Sequence, residues 1–217
     1  MNILPSLLAA PPLHLYKSIE QMLALNLLEL HIDMMDYHFT PNFGLSIDVC
    51  QSILQHFPET RLDVHLMTTP TRPELISDLA DMGVTDITVH LNTLSQALIQ
   101  QLKAHHSINL RIAISHDDSL DKLISHPDFL TLNPSRLLVL AVTPGFCGQA
   151  MQPAALSIAK QAITLGFDTM VDGGVNLSTS QDIRKLKPQS VVVGGGLFNQ
   201  PLDKQKMLIS QLTDPQD

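Results

Sequence analysis

Eight short runs rich in β-branched and aliphatic residues punctuate the chain: Asn2 to Ser6, Leu28 to Asp33, Leu62 to Met67, Asp86 to His90, Asn109 to Ile114, Leu137 to Val142, Asp168 to Asp172 and Ser190 to Val193. Between them, apolar residues return at three- and four-residue intervals and so share one helical face: Tyr16, Ile19, Met22 and Leu23; Leu94, Ala97, Leu98 and Leu102; Ala155, Ile158, Ala159 and Ala162. Strand alternates with helix. Over eight repeats this leaves roughly 27 residues per unit, enough for a strand, a helix and two short loops, and such alternation produces a parallel sheet. An open doubly wound sheet usually needs fewer strands, so the pattern predicts a closed (β/α)8 TIM barrel as a single domain over residues 1–217. Pro11 and Pro12 before the first helix, Asn176 and Ser178 before a later one, and Gly83 and Gly166 at helix ends are ordinary boundary signals.

Composition narrows the class. Of 217 residues, 44% are hydrophobic and only 16% charged, which excludes disorder. Thirteen Lys and Arg against 21 Asp and Glu give a net charge of -8 with no basic run, which argues against nucleic acid as a partner. A small anionic ligand needs only local donors. Cys50 and Cys147 show no paired spacing, so neither a disulfide framework nor a CxxC metal site is indicated, and a reducing compartment fits. No apolar stretch approaches a membrane span and no basic region precedes the first apolar run, so the expectation is a cytoplasmic protein without membrane partners.

In a parallel barrel the chemistry lies at the carboxyl ends of the strands. The second strand ends His31-Ile32-Asp33, and the period of two puts His31 and Asp33 on one face while Leu30 and Ile32 face the helices. His65 in the third strand and Asp172 in the seventh fall on the same inward parity. Two imidazoles and two carboxylates suit one divalent cation: zinc first, with iron(II), manganese or cobalt as alternatives. Strands 2 and 7 stand three steps apart around an eight-membered ring, so Asp33 and Asp172 would face each other across the mouth. Opposed carboxylates can remove a proton from one side of a carbon and return it on the other, inverting that centre.

Three glycine-bearing turns follow the last strands: Pro144-Gly145-Phe146-Cys147-Gly148, Gly173-Gly174 and Gly194-Gly195-Gly196. Backbone amides approach a phosphate closely where Cβ is absent, and this quarter of a barrel commonly builds phosphate sites, although tight turns alone also want glycine.

The segment His31-Ile32-Asp33-Met34-Met35-Asp36-Tyr37-His38-Phe39-Thr40-Pro41-Asn42, with Asp63-Val64-His65-Leu66-Met67, Pro144-Gly145-Phe146-Cys147-Gly148-Gln149 and Val171-Asp172-Gly173-Gly174, resembles the ribulose-phosphate 3-epimerase family over nearly the whole chain. The resemblance implies a (β/α)8 barrel and a divalent metal held by His31, Asp33, His65 and Asp172. It also implies Asp33 and Asp172 as the acid/base pair, Met35 and Met67 beside the metal, Ser6 near the substrate, and homo-oligomers. The substrate set expected on this basis is Ser6, His65, Gly145, Phe146, Cys147, Gly148, Gly174, Gly194 and Gly195, taking a small sugar phosphate. Tyr37, Thr143, Cys147 and Gly195 stand where the family usually has Gly, Asn, Gly and Ser; Leu140 replaces a Met, and Ser115-His116-Asp117 an Asn-Pro loop. The ending Gly196-Leu197-Phe198-Asn199 resembles allulose-6-phosphate epimerases, which leaves a hexulose 6-phosphate as an alternative substrate. A catalytically silent sugar-phosphate-binding barrel is the alternative from another class.

Overall fold

The computed structural model describes residues 1–213. Eight parallel strands, β1 (Asn2–Pro5), β2 (Glu29–Met35), β3 (Arg61–Met67), β4 (Asp86–His90), β5 (Asn109–Ser115), β6 (Arg136–Leu140), β7 (Asp168–Asp172) and β8 (Ser190–Val193), form one sheet in the order β1-β8-β7-β6-β5-β4-β3-β2. A lone parallel bridge between Ser6 and His31 brings the two edges together, so the sheet is a barrel. The helices are α1 (Leu15–Ala24), α2 (Ile47–His56), α3 (Pro73–Asp81), α4 (Gln96–Ala104), α5 (Leu120–Ile124), α6 (Pro127–Leu132), α7 (Pro153–Thr164), α8 (Ser180–Leu186), α9 (Gly195–Phe198) and α10 (Leu202–Thr213). The strand–helix alternation is the expected (β/α)8 architecture, with two short helices after β5 and two after β8. No helix of the described residues is long and apolar enough to cross a membrane.

Strand ends differ from the sequence expectation in two places that matter to the site. Strand β2 runs on through Met34 and Met35, in register with Leu66 and Met67 of β3. Strand β6 stops at Leu140, two residues before Val142. Val142 packs against Gly173, where a Cβ would meet its Cγ2 at 2.5 Å, and Gly173 has φ +108°. The missing Cβ lets Val142 lie against the turn that follows β7.

Two apolar shells result from the period of two. Outward residues such as Leu30, Ile32, Val64, Leu66, Val171 and Val191 join the helices in one large cluster, while Leu4, Ala113, Leu138, Leu140, Met170 and Val192 fill the barrel from β1, β5, β6, β7 and β8. Strands β2, β3 and β4 send polar groups inward instead, with His31, Asp63, His65 and Thr88 all at 0% exposure. Half of the interior is therefore polar. Buried polar groups need partners, and this half of the barrel brings His31, Asp33 and His65 toward Asp172 of β7.

Candidate functional site

His31 and Asp33 leave β2 on the inward face beside His65 of the neighbouring β3, with Asp33 and His65 opposite each other in register. Asp172 ends β7. One donor atom from each of His31, Asp33, His65 and Asp172 lies within 4.8 Å of the others. His31 Nε2 stands 3.3 Å from Asp33 Oδ1 and 4.0 Å from Asp172 Oδ2, and His65 Nδ1 stands 3.6 Å from Asp33 Oδ1. Both of these nitrogens are buried and make no hydrogen bond within the described residues. Two orphaned imidazole nitrogens facing two carboxylates at these distances fit a divalent cation, which would satisfy all four donors at once.

The remaining ring nitrogens are fixed. His31 Nδ1 lies 2.6 Å from Asp63 Oδ2, and His65 Nε2 lies 2.8 Å from His90 Nε2. Burial and the neighbouring His65 hold His90 well below the usual histidine range, so it is neutral, and where its Nε2 accepts, the proton sits on His65 Nε2 and Nδ1 is left as a lone pair. Phe39 closes over His90 with ring centroids 4.6 Å apart. Neither Asp63 nor His90 carries a role in the sequence reading; Asp63 shares inward parity with His65 on β3, and His90 with the buried Thr88 on β4.

The two carboxylates at the cavity floor differ. Burial pushes Asp33 up, but His31 and His65 outweigh it and hold the carboxyl far below the usual carboxylate range, and Ser6 Oγ donates to its Oδ2 at 2.8 Å. Burial pushes Asp172 up to about 7, with Asp33 and Asp63 adding to the rise and His31 opposing it. In the metal-free site the two carboxyls are thus pushed apart, with Asp33 the ionised member and Asp172 the one that takes up a proton.

Above the floor opens a cavity of about 320 Å³. Its walls include Ser6, Asp33, Gly145, Phe146, Cys147, Gly148, Asp172, Gly174, Gly194 and Gly195, together with Met67, Leu140, Thr143, Asn176 and Asn199; His31 and His65 lie beneath it. The rest of the loop after β2 acts as a brace. Asp36 accepts from the backbone N–H groups of Phe39 (2.7 Å) and Thr69 (2.8 Å), while Thr40 Oγ1 and Asn42 Nδ2 donate to the carbonyls of Pro144 and Gly145. Tyr37 turns away: it is 62% exposed and packs on Phe43 at 5.6 Å, outside the cavity wall. At the opposite rim, Gly174 has φ +70°, and a Cβ there would meet the backbone nitrogen of Met151 at 2.5 Å.

A family model described as the ribulose-phosphate 3 epimerase family matches residues 2–198. The chain belongs to the ribulose-phosphate 3-epimerase family. By membership it is an isomerase of the epimerase class. It is 31% identical over 205 residues to the cytoplasmic isoform of ribulose-phosphate 3-epimerase from Oryza sativa subsp. japonica, covering 91% of this chain and 87% of the relative. Ribulose-phosphate 3-epimerase from Escherichia coli is 27% identical over 212 residues, covering 95% and 92%. In fold the chain is also similar to phosphoribosyl anthranilate isomerase from Thermus thermophilus, with a TM-score of 0.68, 14% identity and 98% of each chain covered. The epimerase's altered positions separate by place: Tyr37 lies outside the cavity, whereas Leu140, Thr143, Cys147 and Gly195 line it. Beside Gly195 stands the Asn199 carboxamide, its Nδ2 3.1 Å from where a Cβ of residue 195 would sit.

Proposed function

We propose that this epimerase interconverts D-ribulose 5-phosphate and D-xylulose 5-phosphate by inverting C3. The observation that carries the reading is the placement of two carboxyls, Asp33 and Asp172, around one set of orphaned histidine nitrogens. Asp33 in its ionised form removes the C3 proton on one face, and Asp172 in its protonated form returns a proton to the other. Ser6 holds the Asp33 carboxylate through Oδ2, leaving Oδ1 toward the histidines. His31, Asp33, His65 and Asp172 would hold a divalent cation, zinc being favoured by the two-nitrogen, two-carboxylate set, and it would supply Lewis-acid stabilisation of the negative charge that develops on the substrate oxygens.

The phosphate is assigned to the rim formed by Gly174, Gly194 and Gly195. The first turn of α9 leaves the N–H groups of Gly195 and Gly196 without partners inside the helix, and barrels use this position for phosphate. A cytoplasmic enzyme acting on a small sugar phosphate follows from this reading. Incubating metal-analysed protein with ribulose 5-phosphate in D2O tests it: xylulose 5-phosphate carrying deuterium at C3 is expected. Product without solvent deuterium at C3 would remove the two-carboxylate mechanism, and faster turnover of a hexulose 6-phosphate would reassign the substrate.

A further inference from the structure

Asp63 touches neither the cavity nor the substrate rim, yet it is fully buried directly beneath His31. Its Oδ2 faces His31 Nδ1 at 2.6 Å and its Oδ1 accepts from Arg111 Nη1. Arg111 is 1% exposed and heads the largest fully buried side chains. It points into the barrel from β5, where its neighbour at the same parity, Ala113, belongs to the inner apolar cluster. Its second amino group lies 3.7 Å from Asp86 Oδ1; Asp86 is paired in turn with Arg136, whose Nε donates to Asp168 Oδ2 at 3.0 Å. Alternating charges thus run from beneath the site through the barrel interior.

A buried ion pair is a poor device for stability, because desolvation consumes most of what the attraction returns and apolar side chains of similar volume do as well or better. The placement of this one at a ligand's far nitrogen calls for another account. We propose that Asp63 and Arg111 are positioning residues of the metal centre, holding His31 in the orientation and tautomer that present Nε2 to the cation.

An ionised carboxylate only accepts, so a 2.6 Å contact with Asp63 puts a proton on His31 Nδ1 and reserves Nε2 for whatever occupies the space between Asp33 and Asp172. Arg111 occupies the other carboxylate oxygen, so Asp63 cannot rotate away from the imidazole without breaking a charge-assisted hydrogen bond. It also brings a cation to a barrel floor otherwise crowded by the carboxylates of Asp33, Asp63 and Asp172. A purely structural filler would have no reason to end on the one atom of His31 that selects its tautomer. The inference rests on the metal reading above.

Cobalt(II) and zinc affinities, measured by chelator competition on the parent, Arg111→Lys and Arg111→Met, test it, with thermal stability in chelator recorded alongside. The expected order is parent, then Lys, which keeps the charge but loses the planar fork, then Met, about 10- to 100-fold weaker than the parent and with an altered cobalt absorption band. Equal affinity and an unchanged band in folded Arg111→Met overturn the proposal while leaving the metal site standing. A parent that binds neither ion stoichiometrically removes both readings. Should Arg111→Met not fold, the zinc-loaded parent labelled with 15N-histidine decides the matter: a protonated Nδ1 and unprotonated Nε2 on His31 are expected, and the reverse tautomer overturns the proposal.

Discussion

Replacing Asp172 by Asn removes one titrating group and leaves the shape of the site almost unchanged, which makes two effects separable. In the metal-free protein the Asp172 carboxyl is pushed up to about 7 from an ordinary 3.8. A folded-state value above the unfolded one means that folding is favoured by the protonated form; the contribution is intact below about pH 4 and is lost as the pH rises to about 7. The loss at pH 8 has a ceiling of about 4 kcal/mol, from about 1.4 kcal/mol per pH unit between the two values. The side chain is 17% exposed at the mouth, and solvent screening reduces this to about 2 kcal/mol as a working figure. Asp172→Asn should therefore stabilise the chelator-treated protein at pH 8, by several degrees in Tm for a chain of this length. The gain should shrink steadily toward pH 5. Catalysis should move the other way: epimerisation falls by about 10²- to 10⁴-fold or more, because an amide neither accepts nor donates the proton and is a poorer metal ligand. With Asp33 intact, one of the two epimers should still exchange its C3 proton with D2O without being converted. Calorimetry across pH 5 to 8 and NMR of the sugar phosphates provide the readouts. An Asn variant no more stable than the parent at pH 8, or one that epimerises within a few fold of it, would refute the assignment of Asp172 as the crowded, proton-carrying carboxyl.

His31→Ala and His65→Ala should each lower bound metal and turnover together, as measured by elemental analysis and a coupled assay; full occupancy with normal turnover would remove the four-ligand set. Activity should be confined to the phosphorylated pentulose, because the dianion supplies binding energy that orients C3, and equal kcat/KM on ribulose and ribulose 5-phosphate would return the glycine turns to a structural role. Gly174→Ala forces a side chain onto a residue at φ +70° against the Met151 backbone, a cost of about 1 to 2 kcal/mol from backbone conformation alone before the turn shifts. It should lower kcat/KM for the sugar phosphate at least about tenfold while metal content holds, and a parallel loss of metal would show that the two sites are not separable.

The alternation of apolar runs and helical faces determines a parallel sheet covered by helices, and its eight repeats favour the closed barrel over an open doubly wound sheet. Strand parity likewise determined that His31, Asp33, His65 and Asp172 point inward, because a period of two assigns faces without knowledge of neighbours. What parity does not give is which inward residues meet. Asp63 to Arg111 and His65 to His90 are contacts between strands, set by the stagger with which the sheet closes and by side-chain reach, and the Ser6–His31 bridge is what joins the sheet's two edges among the described residues. An arginine at inward parity between Leu110 and Ile112 was the available signal for the interior ion pairs, yet its partners on β3 and β4 lie 48 and 25 positions away in sequence. Loops show the same division. The motif after β2 was readable as a block, but only the tertiary structure shows Thr40 and Asn42 bracing the loop after β6 while Tyr37 turns to solvent, because a loop side chain's direction follows from backbone turns that carry no periodicity.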